Sequence, residues 1–173
     1  MKLIDRILAL CMGTNILLCS MMAMNSNAVY IDNDDSQGYS NGRNGFDTYV
    51  TSSAYYRNDA RTQSSGYTKQ YSWNLGDDRK VSYTGIDVSL YAYVNDSSFT
   101  DPRAKYSAVA SYQYAIGTLN QNTAARGWNY VGKVRLTPLT AVGEKSVALY
   151  GVVLEPGSSY GYTTAADGVQ IIF

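Results

Sequence analysis

Hydrophobic and polar residues alternate with a period of two along much of the second half of the chain. The run IDVSLYAYV shows the pattern: its apolar face consists of Ile86, Val88, Leu90, Ala92 and Val94. The opposite face consists of Asp87, Ser89, Tyr91 and Tyr93. A period of two with one apolar face is typical of a strand that is buried on one side.

The same alternation recurs in AKYSAVASYQYAIG, where one face carries Tyr106, Ala108, Ala110, Tyr112, Tyr114 and Ile116. It recurs again in GWNYVGKVRL, where Trp128, Tyr130, Val134 and Leu136 share a face. The segments SVALYGVVL and ADGVQIIF are further strand candidates, and the breaks between the runs carry the Gly, Pro, Asn and Asp that turns require. No helical period accompanies them. We therefore predict an all-β fold, a jelly-roll-like antiparallel β-sandwich.

Residues 1–28 follow a different pattern. Lys2 and Arg6 precede an apolar stretch that runs from Ile7 to about Met24, and the small residues Ser26 and Ala28 follow it. This is the pattern of a secretory signal peptide. We expect cleavage after Ala28, a single domain over 29–173 and a secreted, extracellular location. A retained membrane anchor is the alternative, but a Gly-Thr-Asn triplet interrupts the apolar stretch and no basic flank follows it.

Composition narrows the chemistry of the predicted mature chain. The sequence has 2 cysteines, Cys11 and Cys19, both inside the predicted signal peptide, and it has no histidine. Disulfides, cysteine nucleophiles, thiolate or imidazole metal sites and a histidine general base are thereby excluded. We expect no cofactor.

Charge argues against nucleic acid and anionic membranes as partners. Of 14 Lys and Arg, 2 lie in the predicted signal peptide, and of 14 Asp and Glu, 1 lies there, which leaves 12 cations against 13 anions. Both targets require a basic face, so we expect no nucleic acid and no membrane partner after signal cleavage.

Several short motifs, in their order along the chain, resemble golvesin-type domains, also called xanthan-lyase carbohydrate-binding-like domains. The motifs are YIDNDDSQGYS, SAYYRNDAR, YSWNL, AKYSAV, LNQNTAARGWNYVGKVRL and AADGVQIIF. The chain departs from the family pattern at Val131, where leucine is usual, and at Gly168, where alanine is usual. It also lacks the usual Gly-Tyr pair in the strand after the first tryptophan.

The resemblance implies a noncatalytic extracellular module that binds carbohydrate or a cell-wall polysaccharide. The alternative is an extracellular structural or protein-interaction protein, such as a matrix component, an adhesin or an effector, with a protein partner or self-association. A glycosidase needs only two carboxylates. However, Glu144 and Glu155 lie in turn-like segments and no carboxylate has a distinguishing context, so we do not expect an enzyme.

Large aromatic residues divide into core and ligand candidates. Trp128 and Tyr130 lie on the apolar face of their predicted strand, and Trp73 shares a face with Tyr71, so we predict core positions for these residues. The resemblance to golvesin-type domains implies a structural role for Asp167, as an acceptor of backbone N–H bonds.

Tyrosines on polar faces or in loops are the ligand-binding candidates, because a ring offers sugars a flat apolar surface with a polar edge. They are Tyr55, Tyr56, Tyr91, Tyr93, Tyr160 and Tyr162, with Tyr39 in a similar loop. The alternative for Tyr91 and Tyr93 is ordinary cross-strand pairing on a β surface.

The cluster Asp32, Asp34 and Asp35 is a weak candidate for calcium, since hard cations prefer oxygen ligands. Adjacent residues in an extended chain cannot all face one ion, and EF-hand spacing is absent, so we favour a polar turn and predict no metal.

Overall fold

The alternating segments form strands that build two facing sheets. A computed structural model describes residues 28–33, 46, 48–64, 70–75, 80–81, 85–139, 143, 145–157 and 161–173. A 3-10 turn covers Tyr56–Asn58. The strands in these residues are β1 (Ala28–Ile31), β2 (Thr48–Thr51), β3 (Asp59–Ser64), β4 (Tyr71–Asn74), β5 (Lys80–Val81), β6 (Ile86–Val94), β7 (Ala104–Val109), β8 (Gln113–Leu119), β9 (Gly127–Leu136), β10 (Val147–Ala148), β11 (Gly151–Glu155), β12 (Thr163–Ala166) and β13 (Val169–Ile172).

Eight of these strands form the sandwich. One sheet has the order β1-β13-β6-β9 and the other has the order β4-β11-β7-β8. If these strands are numbered along the chain, the orders become 1-8-3-6 and 2-7-4-5, which is a jelly-roll arrangement. The strand pairs are antiparallel. The predicted all-β, jelly-roll-like sandwich is therefore confirmed. Smaller sheets pair β12-β3-β2 and β10-β5.

The first and last strands of the sandwich pair with each other. Ala28 of β1 lies opposite Ile172 of β13, and Ile31 lies opposite Val169. The two ends of the described chain consequently lie side by side in the sheet β1-β13-β6-β9. We call this sheet the outer sheet.

The core forms between the inner faces of the two sheets, as the alternation predicted. In β6 the inward residues Val88, Leu90, Ala92 and Val94 are buried. The facing sheet contributes Trp73, which is 1% exposed and lies close to the rings of Tyr71 and Tyr106. Trp73 therefore lies in the core, as predicted.

The run AKYSAVASYQYAIG forms a hairpin, and one residue of its predicted apolar face departs from the alternation. The core contains Tyr106, Ala108, Ala110 and Ile116, and Tyr114 packs against it, as predicted. The backbone reverses between β7 and β8, where the N–H of Ala110 donates to the carbonyl of Tyr112 at 2.8 Å. Tyr112 is 59% exposed at this turn, and the inward position expected from the alternation is wrong. The alternation of apolar and polar residues continues through the turn, because a period of two does not show where a strand reverses direction.

The two sheets also meet along one edge, where β8 and β9 run close together. A Cβ added at Gly117 would lie 2.4 Å from the carbonyl oxygen of Val131, and one at Gly132 would lie 2.4 Å from that of Ile116. Only glycine permits this approach of the two backbones.

Several predicted features lie outside the described residues. These are the signal peptide up to residue 27, Tyr39 and Tyr160, and the calcium candidates Asp34 and Asp35. In the part of the chain that the structure describes, no helix is both long and apolar enough to cross a membrane.

Candidate functional site

A β-bulge in β9 decides which side chains reach the outer face of the sandwich. Leu90 of β6 lies opposite Gly132, but the next residue, Tyr91, lies opposite Tyr130, so Val131 is the extra residue. An inserted residue shifts the alternation by one. Val134 and Leu136 consequently face the core on one side of the bulge, whereas Trp128 and Tyr130 face outward on the other.

The core positions predicted for Trp128 and Tyr130 are therefore wrong. Tyr130 is 55% exposed and Trp128 is half-buried on the outer face. The prediction assumed strict alternation from Trp128 to Leu136, and the bulge breaks that alternation between the aromatic and the aliphatic half of the strand.

These two rings belong to a group of aromatic side chains on the outer sheet. Trp128 contacts three tyrosine rings edge to face, with centroids 5.1 Å from Tyr56, 5.2 Å from Tyr93 and 5.6 Å from Tyr30. Tyr91 lies 5.3 Å from Tyr130 across the same pair of strands. We call this group the aromatic patch; it consists of Tyr30, Tyr56, Tyr91, Tyr93, Trp128 and Tyr130.

A transverse row of polar and aromatic groups runs through the patch. Register places Tyr30 beside Gln170, Gln170 beside Tyr91, and Tyr91 beside Tyr130, so the row crosses all four strands of the outer sheet. The side-chain amide of Gln170 donates to the hydroxyl of Tyr30 at 2.8 Å. The sequence-based candidates omitted Tyr30 and Gln170. The alternation of Tyr30 with Val29 and Ile31 was the available signal for an outward ring.

Tyr56 reaches the patch from the loop between β2 and β3. Its backbone N–H donates to both carboxylate oxygens of Asp167, at 3.0 and 3.2 Å, which fixes the loop against the turn that precedes β13. The ring then lies over Gly168, where an added Cβ would be 2.5 Å from the Tyr56 ring and 3.2 Å from Trp128. The guanidinium carbon of Arg57 lies 5.4 Å from the same ring.

Asp167 combines burial with several hydrogen bonds. Its side chain accepts from Tyr56, and its carbonyl accepts from the indole N–H of Trp73 at 3.1 Å, so it links the core to the patch. Burial raises the pKa of the Asp167 carboxyl to about 8. The N–H of Tyr56 acts in the opposite direction, and the carboxylate of Asp32 raises the pKa further.

The tyrosines proposed as ligand contacts fall into different environments. Tyr56, Tyr91 and Tyr93 belong to the patch, and the last two also make the cross-strand pairs that the alternative predicted. Tyr55 is buried: its ring stacks on Phe99 at 5.4 Å, and its hydroxyl donates to Asp96 at 2.9 Å. Its assignment as an exposed ligand contact is wrong, because adjacent residues in this loop point to opposite sides. Tyr162 is exposed just before β12, in a different sheet.

Asp32 is also buried, and its carboxylate accepts the backbone N–H of Asn33 at 2.8 Å. Among the described residues, no group of three or more Asp, Glu, Cys or His side chains is arranged to hold a metal ion.

No protein-family model matches the chain, and no curated protein matches it significantly. A CBM35 from Cellvibrio japonicus is similar in structure, with a TM-score of 0.49 and 14% identity over 84% of this chain and 93% of that one. An exo-β-1,3-galactanase from Phanerochaete chrysosporium has a TM-score of 0.43 and 13% identity over 84% of this chain. The match spans 29% of the galactanase chain.

Proposed function

We propose that the protein is a secreted, noncatalytic module that binds a neutral polysaccharide or cell-wall glycan through the aromatic patch. The observation that carries the proposal is the patch itself: six aromatic rings on the outer face of one sheet, with Tyr30 at 44% and Tyr130 at 55% exposure. The motif resemblance to golvesin-type domains points to the same function.

The chemistry of the patch suits a sugar chain. Pyranose rings present apolar C–H faces that pack on aromatic rings, and their hydroxyls need polar partners beside those rings. Here the hydroxyls of Tyr30, Tyr91 and Tyr130 and the amide of Gln170 lie in one transverse row. With strands about 4.8 Å apart, a row across four strands is about 14 Å long. The patch therefore offers an elongated surface rather than a single point of contact.

The noncatalytic part of the proposal rests on the carboxylates on or beside this face. Asp167 adjoins the patch and has a raised pKa, but it is 2% exposed and both of its oxygens accept the N–H of Tyr56, so it does not face a sugar on the surface. Among the outward positions of the four strands, the carboxylate is Asp87, and both of its oxygens are engaged, with Lys133 at 2.9 Å and Arg135 at 3.2 Å. These cations lower the pKa of Asp87, chiefly through the hydrogen bond from Lys133. A glycosidase requires a general acid with a raised pKa and a second carboxylate facing the same sugar.

A depletion assay tests the proposal. The purified protein is incubated with insoluble cellulose, chitin, xylan, mannan, galactan, β-1,3-glucan and cell-wall preparations, and the protein left in solution is measured. We expect saturable binding to at least one of them. Changing Trp128→Ala, or Tyr91 and Tyr93 to Ala together, should weaken that binding about tenfold or more, since central aromatic contacts dominate binding energy.

The matched control is Tyr112→Ala, which removes an exposed ring outside the patch, at the turn between β7 and β8. It should leave binding unchanged, and thermal unfolding should show that every variant is folded. Absence of binding to the whole panel would contradict the proposal. Exposed aromatic residues also occur at protein interfaces, so concentration-dependent self-association lost on Trp128→Ala would instead favour the structural or protein-interaction alternative.

A further inference from the structure

A polar cleft opens where the aromatic patch ends. The last pair of outward rings is Tyr93 on β6 and Trp128 on β9. Beyond this pair come the loop after β6 and the loop before β9. Between these loops lies an open cleft of about 130 Å³. Its lining includes Asn95, Asp96, Ser97, Asn122 and Arg126, with Val94 and Ala124 as apolar surface.

Asp96 is the main acceptor in the cleft. One carboxylate oxygen accepts the N–H of Ser98 at 2.7 Å, and the other accepts the hydroxyl of Tyr55 at 2.9 Å. The Ser98 side chain also hydrogen-bonds this carboxylate. Of the four lone-pair sites on its two oxygens, these three contacts leave one for a ligand hydroxyl. The N–H of Ser98 lowers the pKa of Asp96 most, and Tyr55 and Arg126 act in the same direction, so the group is ionised at neutral pH.

The donors lie on the other side of the cleft. Arg126 and Asn122 are exposed side chains in the loop before β9. The guanidinium contributes a positive charge that acts on Asp96. One cation therefore faces one carboxylate, and the balance of charge favours an uncharged ligand with several hydroxyls over an acid or an amine.

The loops that carry these groups are fixed by the rest of the fold. Asn95 donates to the carbonyl of Ala54 at 2.6 Å. Gln121 is buried, where its amide donates to the carbonyl of Ala165 at 2.8 Å and its oxygen accepts the N–H of the same residue at 2.9 Å. A site whose walls are already held in place loses little conformational entropy when a ligand binds.

The loop between β2 and β3 connects the cleft to the patch. Tyr55 holds Asp96 in the cleft through its hydroxyl, and the next residue, Tyr56, places its ring against Trp128 in the patch. The cleft and the patch therefore adjoin the same loop.

We infer that the cleft is a subsite for one neutral pyranose residue of the glycan that lies on the aromatic patch, with its hydroxyls bound by Asp96, Asn122 and Arg126. Vicinal hydroxyls match this set, because the carboxylate accepts from one O–H group while the amide and the guanidinium donate to the oxygens of that hydroxyl and its neighbour. The inference rests on the proposed function of the patch and adds the class of sugar unit and the groups that select it.

Titration followed by NMR tests the cleft separately from the patch. The ¹⁵N-labelled protein is titrated with D-glucose, D-galactose, D-mannose and D-xylose, each used singly. At least one should shift the backbone N–H signals of Asp96 and Asn122 and the side-chain amide of Asn122. Arg126→Ala and Asn122→Ala should each weaken that monosaccharide about fivefold to tenfold, the usual loss for one hydrogen bond to a charged or polar partner.

Arg103→Ala is the control, since it removes an exposed arginine at the start of β7. It should change neither the shifts nor the affinity. Shifts confined to patch residues, or no shifts while a polysaccharide still binds through Trp128, would overturn the subsite and leave the proposed function standing. Cleft shifts in a protein whose polysaccharide binding survives Trp128→Ala would overturn the patch as the glycan surface. The claim that one glycan spans both surfaces would then fall with it.

Discussion

At the scale of single residues, Asp167 has the environment with the clearest energetic consequence. Its carboxyl is 2% exposed, and its pKa is raised to about 8 mainly by burial. In the unfolded chain an aspartate titrates near pH 4. Between those two values the folded protein retains a proton that the unfolded chain releases, so folding takes up a proton over this range.

We predict that the free energy of unfolding falls as the pH rises from about 4 to about 8, because a raised carboxyl pKa favours folding only while the group is protonated. Urea unfolding at pH 5, 6, 7 and 8 measures this slope. Asp167→Asn should remove most of it, because an amide does not titrate. Asp87→Asn should keep it, since the pKa of that exposed carboxyl is already low. An unchanged slope in the Asp167→Asn variant would contradict the assignment.

Gly168 is the second residue with a specific role, because the rings of Tyr56 and Trp128 occupy the space that a side chain would need. Gly168→Ala should displace Tyr56, lower the free energy of unfolding by about 1–3 kcal/mol and weaken glycan binding. Ser89→Ala, on the same face of the sheet, should change stability by about 0.5 kcal/mol at most. Thermal unfolding and the depletion assay measure both effects, and full stability of Gly168→Ala would show that the ring packing is not as described.

At the scale of elements, β6 was predictable and β9 was only half predictable. Each inward residue of β6 could be identified because nine consecutive residues alternate without a break. In β9 the bulge at Val131 separates two stretches that each alternate correctly but face opposite sides. Whether a strand contains an extra residue depends on pairing with its neighbour, and a period of two in one segment carries no information about that partner.

The same limit explains which residues of the candidate site could be predicted from the sequence and which could not. The outward positions of Tyr91 and Tyr93 followed from β6 alone, whereas Trp128 and Tyr130 became surface residues only through the register of β6 with β9. Tyr55 and Tyr56 are adjacent in a loop, where no period indicates which ring is buried. The hairpin between β7 and β8 was missed for a related reason, since polar residues occur both at turns and on outward faces.

The two tryptophans should differ in their effect on stability. Trp73 lies in the core between the sheets, so Trp73→Ala should lower the free energy of unfolding by about 3–5 kcal/mol. Tyr130 is an outward ring paired with Tyr91, so Tyr130→Ala should cost at most about 1 kcal/mol. The loss in the free energy of unfolding for Trp128→Ala should lie between these two values, because the ring is half-buried. Chemical denaturation ranks the three variants, and a Tyr130→Ala loss as large as that of Trp73→Ala would contradict the outward placement.

At the scale of the whole molecule, the jelly-roll arrangement separates structural and binding roles. The inner faces of both sheets form the core, and the close edge between β8 and β9 joins the sheets to each other. The outer face of the sheet β1-β13-β6-β9 is thereby left to carry the aromatic patch at one end. The ion pairs of Asp87 lie toward the other end.

Because β1 pairs with β13, the two ends of the described chain are neighbours in the fold. Ala28 lies opposite Ile172, at a separation of about 5 Å typical of antiparallel neighbours. A linker of about two to five residues could therefore join Phe173 to Val29, the first residue of the predicted mature chain, with new ends opened at the exposed turn between Ser111 and Tyr112. We expect this circular permutant to fold with a similar thermal transition and to bind the same glycan. A permutant that folds but loses binding would show that the patch depends on β1 and β13 being unlinked. A permutant that folds and binds would show that the order of the strands in the chain is dispensable once their pairing is set.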